Sequence, residues 1–143
     1  MRSDMTIDTE KLRTGAAKWN IILDETALSR FDSYASLLIE WNQKINLTAI
    51  KDPDGIVTKH FIDSLALLSF VSPQQEAKVI DVGTGAGFPG VALLIARPDL
   101  QLTLLDSTKK KASFFGRCPL FAWPAGGNAP YACRGGRAAI CLS

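Results

Sequence analysis

The stretch Asp81-Val-Gly-Thr-Gly-Ala-Gly-Phe-Pro-Gly90 places four glycines within eight residues of the chain. A β-branched run, Lys78-Val-Ile-Asp-Val82, leads into it, and residues 88–96 continue with the apolar spacing of a helix. Glycines at such a junction let the backbone turn tightly and let a ligand approach the main chain closely. The stretch therefore predicts a strand, a ligand-binding glycine loop and a helix in succession.

A second strand and an acidic residue extend this prediction. A turn at Arg97-Pro-Asp99 is followed by the predicted strand Gln101-Leu-Thr-Leu-Leu-Asp106. Strand, helix and strand in this order are typical of a βαβ unit with two parallel strands, which belongs to the α/β class. The Asp106 carboxylate would then lie beside the glycine loop, where it can accept hydrogen bonds from both hydroxyls of a ribose. The predicted ligand is an adenosine-containing cofactor.

The identity of that cofactor stays open on the residues alone. Residues 85–90 match G-x-G-x-x-G and Asp106 lies 21 residues after Gly85, as in NAD-binding units. A phosphate-binding Walker A loop is excluded because Val91, and not lysine, follows Gly90. Asp81 argues against a pyrophosphate, since a carboxylate in the mouth of the loop suits a ligand with ammonium and sulfonium charges. A glycine-rich turn without a ligand is the third interpretation.

Residues 1–75 are predicted to form a helical segment ahead of the βαβ unit. Apolar residues recur at helical spacing after Asp24, a candidate N-cap. A second helix is predicted to begin at Asp52-Pro53, because proline is favoured at the first helical position, and to run to about Phe70. Tyr34 and its neighbours are expected to be core residues of this segment.

The composition fits one globular domain. The chain has 143 residues, of which 47% are hydrophobic and 21% are charged, so a disordered chain or a coiled coil is excluded. The N-terminus lacks the apolar core of a signal peptide and no apolar run is long enough to span a bilayer, so we expect a cytoplasmic protein with no membrane contact. The three cysteines lack metal-ligand spacing and the chain has one histidine, so we predict no metal site.

The last 28 residues, 116–143, differ from the rest of the chain. They hold all three cysteines, five of the 11 glycines and three arginines, but no lysine and no acidic residue. This tail carries +3, whereas the other 115 residues carry 13 basic and 14 acidic side chains, so the net charge of +2 comes from the tail. We predict an irregular tail and hypothesise that it is a truncated or frame-shifted reading of a longer gene. The alternative is a genuine, divergent end rich in glycine and proline.

Four segments occur in an order that resembles one protein family. They are Glu40-Trp-Asn-Gln-Lys-Ile-Asn-Leu-Thr48, Val57-Thr-Lys-His-Phe-Ile-Asp-Ser-Leu65, the stretch 81–90, and Leu104-Leu-Asp-Ser107. Together they resemble the bacterial 16S ribosomal RNA guanine-N7 methyltransferase family, also called RsmG or GidB, over about residues 20–115. The resemblance implies a class I methyltransferase with a Rossmann-like fold. Its S-adenosylmethionine-binding domain would begin at residues 76–115 with an incomplete parallel sheet.

The resemblance implies S-adenosylmethionine-dependent methylation of a guanine N7, with 16S rRNA or the small ribosomal subunit as partner. Carried over by position, Gly83 and Phe88 contact the cofactor. Asp81 helps to hold its methionine end and Asp106 its ribose, while Gly85 allows the close approach of the loop. We expect no general base, because guanine N7 has no proton to lose and positioning can supply most of the acceleration.

Family members extend well beyond this length, so the resemblance implies weak or no activity for the chain itself. Two other interpretations remain open on the residues alone. One is an NAD-binding oxidoreductase built on the same glycine loop, and the other is an inactive remnant.

Two further groups of residues have a functional and a structural interpretation. His60, Asp63 and Ser64 fall within one helical turn, but side chains on one helix do not give the opposed geometry of a hydrolase triad. We predict that they brace the helical segment against the glycine loop by hydrogen bonds. The lysines either contact RNA phosphates or form a solvated face, and both interpretations stay open for Lys44, Lys51, Lys59 and the run Lys109-Lys-Lys111.

Overall fold

A computed structural model describes residues 5–106, Phe114, and the backbone of 131–134 and 137–142. The helices are α1 (Thr9–Ala17), α2 (Glu25–Asn42), α3 (Pro53–Gly55), a π-helical segment (Ile56–Ile62), α4 (Asp63–Val71) and α5 (Gly90–Ala96). The strands are β1 (Lys78–Val82), β2 (Gln101–Asp106), β3 (Tyr131–Arg134) and β4 (Arg137–Leu142). The predicted helical segment therefore precedes an α/β unit.

Aspartate side chains define where the helices begin. The Asp24 carboxylate accepts a hydrogen bond of 2.7 Å from the Ala27 amide at the start of α2. The Asp52 carboxylate accepts one of 2.7 Å from Gly55, with Pro53 at the first helical position of α3. These bonds satisfy backbone N–H groups that the first turn of a helix leaves unpaired. Both predicted helix starts are confirmed.

The helix predicted from Asp52-Pro53 to about Phe70 is continuous in the structure, but it combines α-helical and π-helical hydrogen bonding. It passes from α3 through the π-helical segment into α4 and ends at Ser72, whose φ of 45° is left-handed. A π-helix pairs each N–H with the carbonyl five residues earlier, and short π segments occur frequently at functional sites. Apolar spacing does not separate a short π segment from an α-helix, so the sequence predicts helix without this detail.

The predicted βαβ unit is confirmed. β1 and β2 are parallel, with Lys78 opposite Gln101 and Val82 opposite Leu105, and α5 connects them. The order of strands in the sheet is β1-β2-β4-β3, and β4 runs antiparallel to both β2 and β3. The sheet is consequently mixed, with one parallel pair that belongs to an incomplete Rossmann-like fold.

The tail differs from its prediction at ten residues. Instead of irregular chain, the structure has β3 at 131–134 and β4 at 137–142, and β4 pairs with the edge of β2. In the sequence, Gly135-Gly136 separates these two runs, and two glycines between short apolar runs are a signal for a β-hairpin. The compositional argument for an irregular tail overlooked that signal. The rest of the tail and the lysine run 109–111 lie outside the described residues.

One buried core joins the helical segment to the α/β unit. It includes large side chains of α1, α2 and the π-helical segment together with nearly all of α5 and the inner side of β2. The two faces of the parallel pair differ in burial: Leu102 and Leu104 are buried, whereas Ile80 and Val82 of β1 are 61% and 64% exposed. Within the described ranges, no helix is long and apolar enough to span a bilayer.

Candidate cofactor-binding site

Two glycines of the loop face open space. Gly83 has a φ of +70° and Gly85 a φ of +59°, in the left-handed region that favours glycine. A Cβ atom built on either residue would meet no described atom within 4 Å. The predicted close approach of a ligand to this part of the main chain is therefore sterically possible.

The Asp81 side chain links two parts of the loop by hydrogen bonds. Its Oδ2 atom accepts hydrogen bonds from the Thr84 hydroxyl at 2.8 Å and from the Gly90 amide at 2.9 Å. The second bond satisfies an N–H at the start of α5, where Pro89 as the N-cap residue provides no side-chain bond. The role of Asp81 at the methionine end of a cofactor stays a prediction, and such a contact would involve its other oxygen, Oδ1.

Asp106 lies beside the glycine loop, where the sequence places it. The carboxylate is buried, with 8% of the residue exposed, and its Oδ2 atom accepts a hydrogen bond of 3.0 Å from the Gly85 amide. The Gly83 and Thr84 amides both donate to the carbonyl of Leu105, at 2.7 and 3.2 Å. The loop thus crosses directly over the end of β2, and a ribose at Asp106 would also contact the loop.

Phe88 connects the loop to the helical segment. Its ring is stacked on the His60 imidazole, with centroids 4.4 Å apart and an angle of 4° between the planes. Tyr34 lies edge-on to the same ring at 5.9 Å, and Phe61 lies tilted to it at 5.7 Å. One face of the Phe88 ring is therefore covered by protein. The contact between Phe88 and a cofactor stays a prediction, and it would involve the parts of Phe88 that these neighbouring rings do not cover.

His60 is itself held in place by a polar contact. Its Nε2 atom and the Thr48 hydroxyl form a hydrogen bond of 2.7 Å. Asn42 at the end of α2 accepts bonds from the Leu47 and Thr48 amides, at 2.8 and 3.0 Å, which fixes the connection that carries Thr48. Burial lowers the pKa of His60, and the nearby Asp63 carboxylate partly opposes this shift. The imidazole is therefore favoured in its neutral form.

The helical segment contacts the loop as predicted, but the contacts are not the hydrogen bonds expected from His60, Asp63 and Ser64. His60 contacts the loop by ring stacking, whereas the hydrogen bond comes from Tyr34, whose buried hydroxyl donates to the Ala86 carbonyl at 2.5 Å. Sequence reasoning assigned Tyr34 to the core without this role. The available signal was a tyrosine on an apolar helix face, because a buried hydroxyl usually finds a hydrogen-bond partner. Ser64 is buried in α4.

The predicted lysines lie apart from the loop contacts. Lys44, Lys51 and Lys59 are exposed, and the Lys44 ammonium lies 5.3 Å from the centre of the Trp41 ring. A cation over an aromatic face is a common surface arrangement. Contact between these lysines and RNA stays a prediction. Among the described residues, no group of three or more His, Cys, Asp or Glu side chains is placed to hold a metal ion.

The residues present fit an adenosyl cofactor. Gly83 and Gly85 leave open space above the main chain, and the Asp106 carboxylate stands next to that space at the end of β2. Carboxylate oxygens accept hydrogen bonds from ribose hydroxyls, and an exposed glycine backbone admits a ligand to within van der Waals distance. The arrangement therefore combines exposed main chain with a neighbouring acceptor carboxylate, which is compatible with the predicted ligand.

Comparison with known proteins identifies relatives of this chain. A family model described as "rRNA small subunit methyltransferase G" (GidB) matches residues 27–118. The chain is 50% identical over 105 residues to the ribosomal RNA small subunit methyltransferase G of Thermoanaerobacter sp. (strain X514), which covers 73% of this chain and 44% of that protein. It is 48% identical over 103 residues to the protein of that name from Alkaliphilus oremlandii, covering 72% and 43%. A third relative of that name, from Desulforamulus reducens, is 46% identical over 112 residues, covering 78% and 45%. The chain thus spans less than half the length of these curated relatives.

Proposed function

The chain belongs to the rRNA small subunit methyltransferase G family, and from this premise we propose that its glycine loop binds S-adenosylmethionine for the methylation of guanine N7 in 16S rRNA. The observation that carries the proposal is the open space over Gly83 and Gly85 next to the buried Asp106 carboxylate. The substrate would be 16S rRNA or the small ribosomal subunit, and the reaction would take place in the cytoplasm.

Each site residue has a distinct task in this proposal. Asp106 accepts hydrogen bonds from the ribose hydroxyls, and Gly83 and Gly85 admit the cofactor to the main chain. The Oδ1 atom of Asp81 faces the ammonium group of the methionine end, while Oδ2 keeps the loop closed on Thr84. Phe88 holds the loop against the helical segment through its ring.

The reaction requires the protein to orient the two reactants and does not require a residue that transfers a proton. When bound, the cofactor supplies a methyl group on a positively charged sulfur, which is a good leaving group. Guanine N7 has a lone pair and no proton to lose, so no residue of the site is needed as a general base. The protein residues bind and orient, and holding two reactants in line can account for most of an acceleration of this kind.

The methyltransferase activity of the 143-residue chain alone is a question separate from cofactor binding. It spans less than half the length of relatives that carry the methyltransferase name. We therefore propose that the chain binds the cofactor but transfers methyl groups weakly or not at all. Cofactor affinity is accordingly the primary property to measure.

Titration calorimetry with S-adenosylhomocysteine and with NAD tests the proposed cofactor. We expect binding of the first ligand and none of the second, because the Asp81 carboxylate in the loop repels a pyrophosphate. Asp106→Ala should weaken binding about tenfold or more, since losing a hydrogen-bonded carboxylate costs more than 1.4 kcal/mol at many sites. Ser69→Ala, an exposed change on α4, is the matched control. Binding of NAD alone would overturn the proposed cofactor.

A second assay addresses the substrate. Small ribosomal subunits and naked 16S rRNA are incubated with the chain and with methyl-labelled S-adenosylmethionine, and labelled guanine is identified after digestion. We expect little label above background from the chain alone. Efficient labelling at a position other than guanine N7 would contradict the proposed specificity, and efficient labelling at N7 would contradict the proposed weak activity.

A further inference from the structure

A parallel ring stack joins the π-helical segment to the glycine loop. The His60 and Phe88 rings are nearly parallel, at 4° and 4.4 Å between centroids, although 28 residues separate them in the chain. Both are partly buried, so the contact excludes water from one side of each ring. A stack in this geometry constrains both the position and the tilt of the Phe88 ring.

The imidazole has a fixed orientation within its own plane. Thr48 accepts a hydrogen bond from the Ile50 amide at 3.1 Å and shares another of 2.7 Å with Nε2 of His60. Asn42 anchors the Thr48 amide. A series of polar contacts therefore runs from the end of α2 to His60, and the stack continues it to the loop.

The position of Phe88 affects the part of the loop that faces open space. The Phe88 and Gly87 amides donate to the Thr84 carbonyl at 3.2 and 2.9 Å. Thr84 lies between Gly83 and Gly85, the two glycines with open space over their Cα atoms. A displacement of the Phe88 ring would thus be transmitted to Thr84 within one turn of backbone.

We propose that His60 is a positioning residue for cofactor binding: held by Thr48, its ring fixes Phe88 and thereby keeps Gly83 and Gly85 in the conformation that admits the cofactor. The inference rests on the proposed function, and it adds a residue outside the set proposed to contact the cofactor. Its chemistry explains why a histidine suits the site. A phenylalanine would stack equally well but would lose the hydrogen bond between the ring and the Thr48 hydroxyl, which would keep only its bond from the Ile50 amide.

Four variants separate the stack from the hydrogen bond. For S-adenosylhomocysteine we expect the Kd to rise about tenfold in His60→Ala, which loses both contacts, the equivalent of about 1.4 kcal/mol. We expect a rise of about threefold in His60→Phe, which keeps the stack, and in Thr48→Ala, which keeps the ring but loses its partner. Thr48→Ser retains the hydroxyl and should restore wild-type affinity.

Phe31→Leu is the matched control for stability. Phe31 is buried and packs against Phe61 at 4.7 Å, and among the described residues it forms no ring contact with Phe88 itself. We expect it to lower the Tm as much as His60→Ala does while leaving the Kd unchanged. If His60→Ala changes the Kd no more than Phe31→Leu does, then His60 contributes only stability and the proposal is overturned.

Hydrogen exchange of the free protein provides a readout that needs no cofactor. Amides of residues 83–90 should exchange faster in His60→Ala than in Phe31→Leu at equal Tm, because only the first variant releases the loop. Equal exchange in the two variants would overturn the positioning role. Absence of S-adenosylhomocysteine binding by the unaltered chain would instead overturn the proposed function, and the exchange comparison would still decide about His60.

Discussion

The glycines at the two ends of the loop face different surroundings. Gly83 and Gly85 have positive φ and open space where a Cβ would be, whereas Gly90 is buried at the start of α5. A Cβ on Gly90 would lie 2.8 Å from both the Asp81 Oδ2 atom and Leu104 Cδ2. One end of the loop thus needs glycine for its left-handed backbone and leaves space for the proposed ligand, and the other needs glycine to pack the helix against the sheet. The glycine motif in the sequence does not distinguish the open end of the loop from the packed end.

Substitution at the packed end should have the largest effect. Gly90→Val inserts a branched side chain where two atoms already lie too close, so we expect a loss of about 3 kcal/mol in the free energy of unfolding. Urea denaturation measures this loss. Ser69→Ala, which is exposed on α4, should stay within about 0.5 kcal/mol of the unaltered chain. Wild-type stability of Gly90→Val would show that the packed end of the loop can relax.

Asp81 contacts both ends of the loop, so its removal tests whether they are coupled. Asp81→Ala loses the bonds from Thr84 and Gly90 and should cost about 2 kcal/mol of unfolding free energy. Asp81→Asn retains an acceptor oxygen and should cost less. Denaturation midpoints of the two variants provide the comparison. Equal losses in both would mean that the carboxylate charge, and not the geometry of the bonds, stabilises the loop.

At the open end, stability and binding should respond differently. Gly85→Ala places a side chain at a φ of +59°, which costs about 1 kcal/mol of stability in the left-handed region. The new methyl group would occupy the space proposed for the cofactor, so calorimetry with S-adenosylhomocysteine should show a loss of affinity of more than tenfold. A Kd equal to that of the unaltered chain would place the cofactor away from this glycine.

The smallest effect is expected from pH, through the ring that holds the loop. Because burial lowers the pKa of His60 below 6.5 in the folded protein, the unfolded chain binds its proton more readily. The free energy of unfolding should therefore fall as pH drops from 6.5 towards the lowered value, and change little below it. In His60→Phe this contribution should disappear. Urea titrations between pH 5 and 8 test the difference, which would be absent if the imidazole were equally basic in both states.

Local signals in the sequence predicted the framework of the site. Asp24 and Asp52-Pro53 marked helix starts, and the strand–glycine–helix–strand order placed Asp106 beside the loop, because the parallel strands of a βαβ unit end at the same edge of the sheet. These features depend on neighbours in sequence or on a general rule of connection. They could therefore be found without a structure.

The contacts that hold the loop were not predictable in the same way. The bond from Tyr34 to Ala86 spans 52 residues, and any buried carbonyl could have satisfied that hydroxyl. The stack of His60 on Phe88 depends on how two apolar faces meet, which periodicity does not specify. The strands at 131–134 and 137–142 were missed for another reason. There the unusual composition of the tail outweighed a local turn signal.

The π-helical segment has a consequence for the angular direction of its side chains. In an α-helix successive residues are rotated by about 100° around the axis, so neighbours in sequence point to different sides. The wider π turn uses more residues per revolution and rotates each by less. Consecutive residues, His60 and Phe61, can therefore both reach the Phe88 ring. Removing one residue from Ile56–Ile62 would restore the α-helical rotation and turn one of these rings away, so the length of this segment is as constrained as its composition.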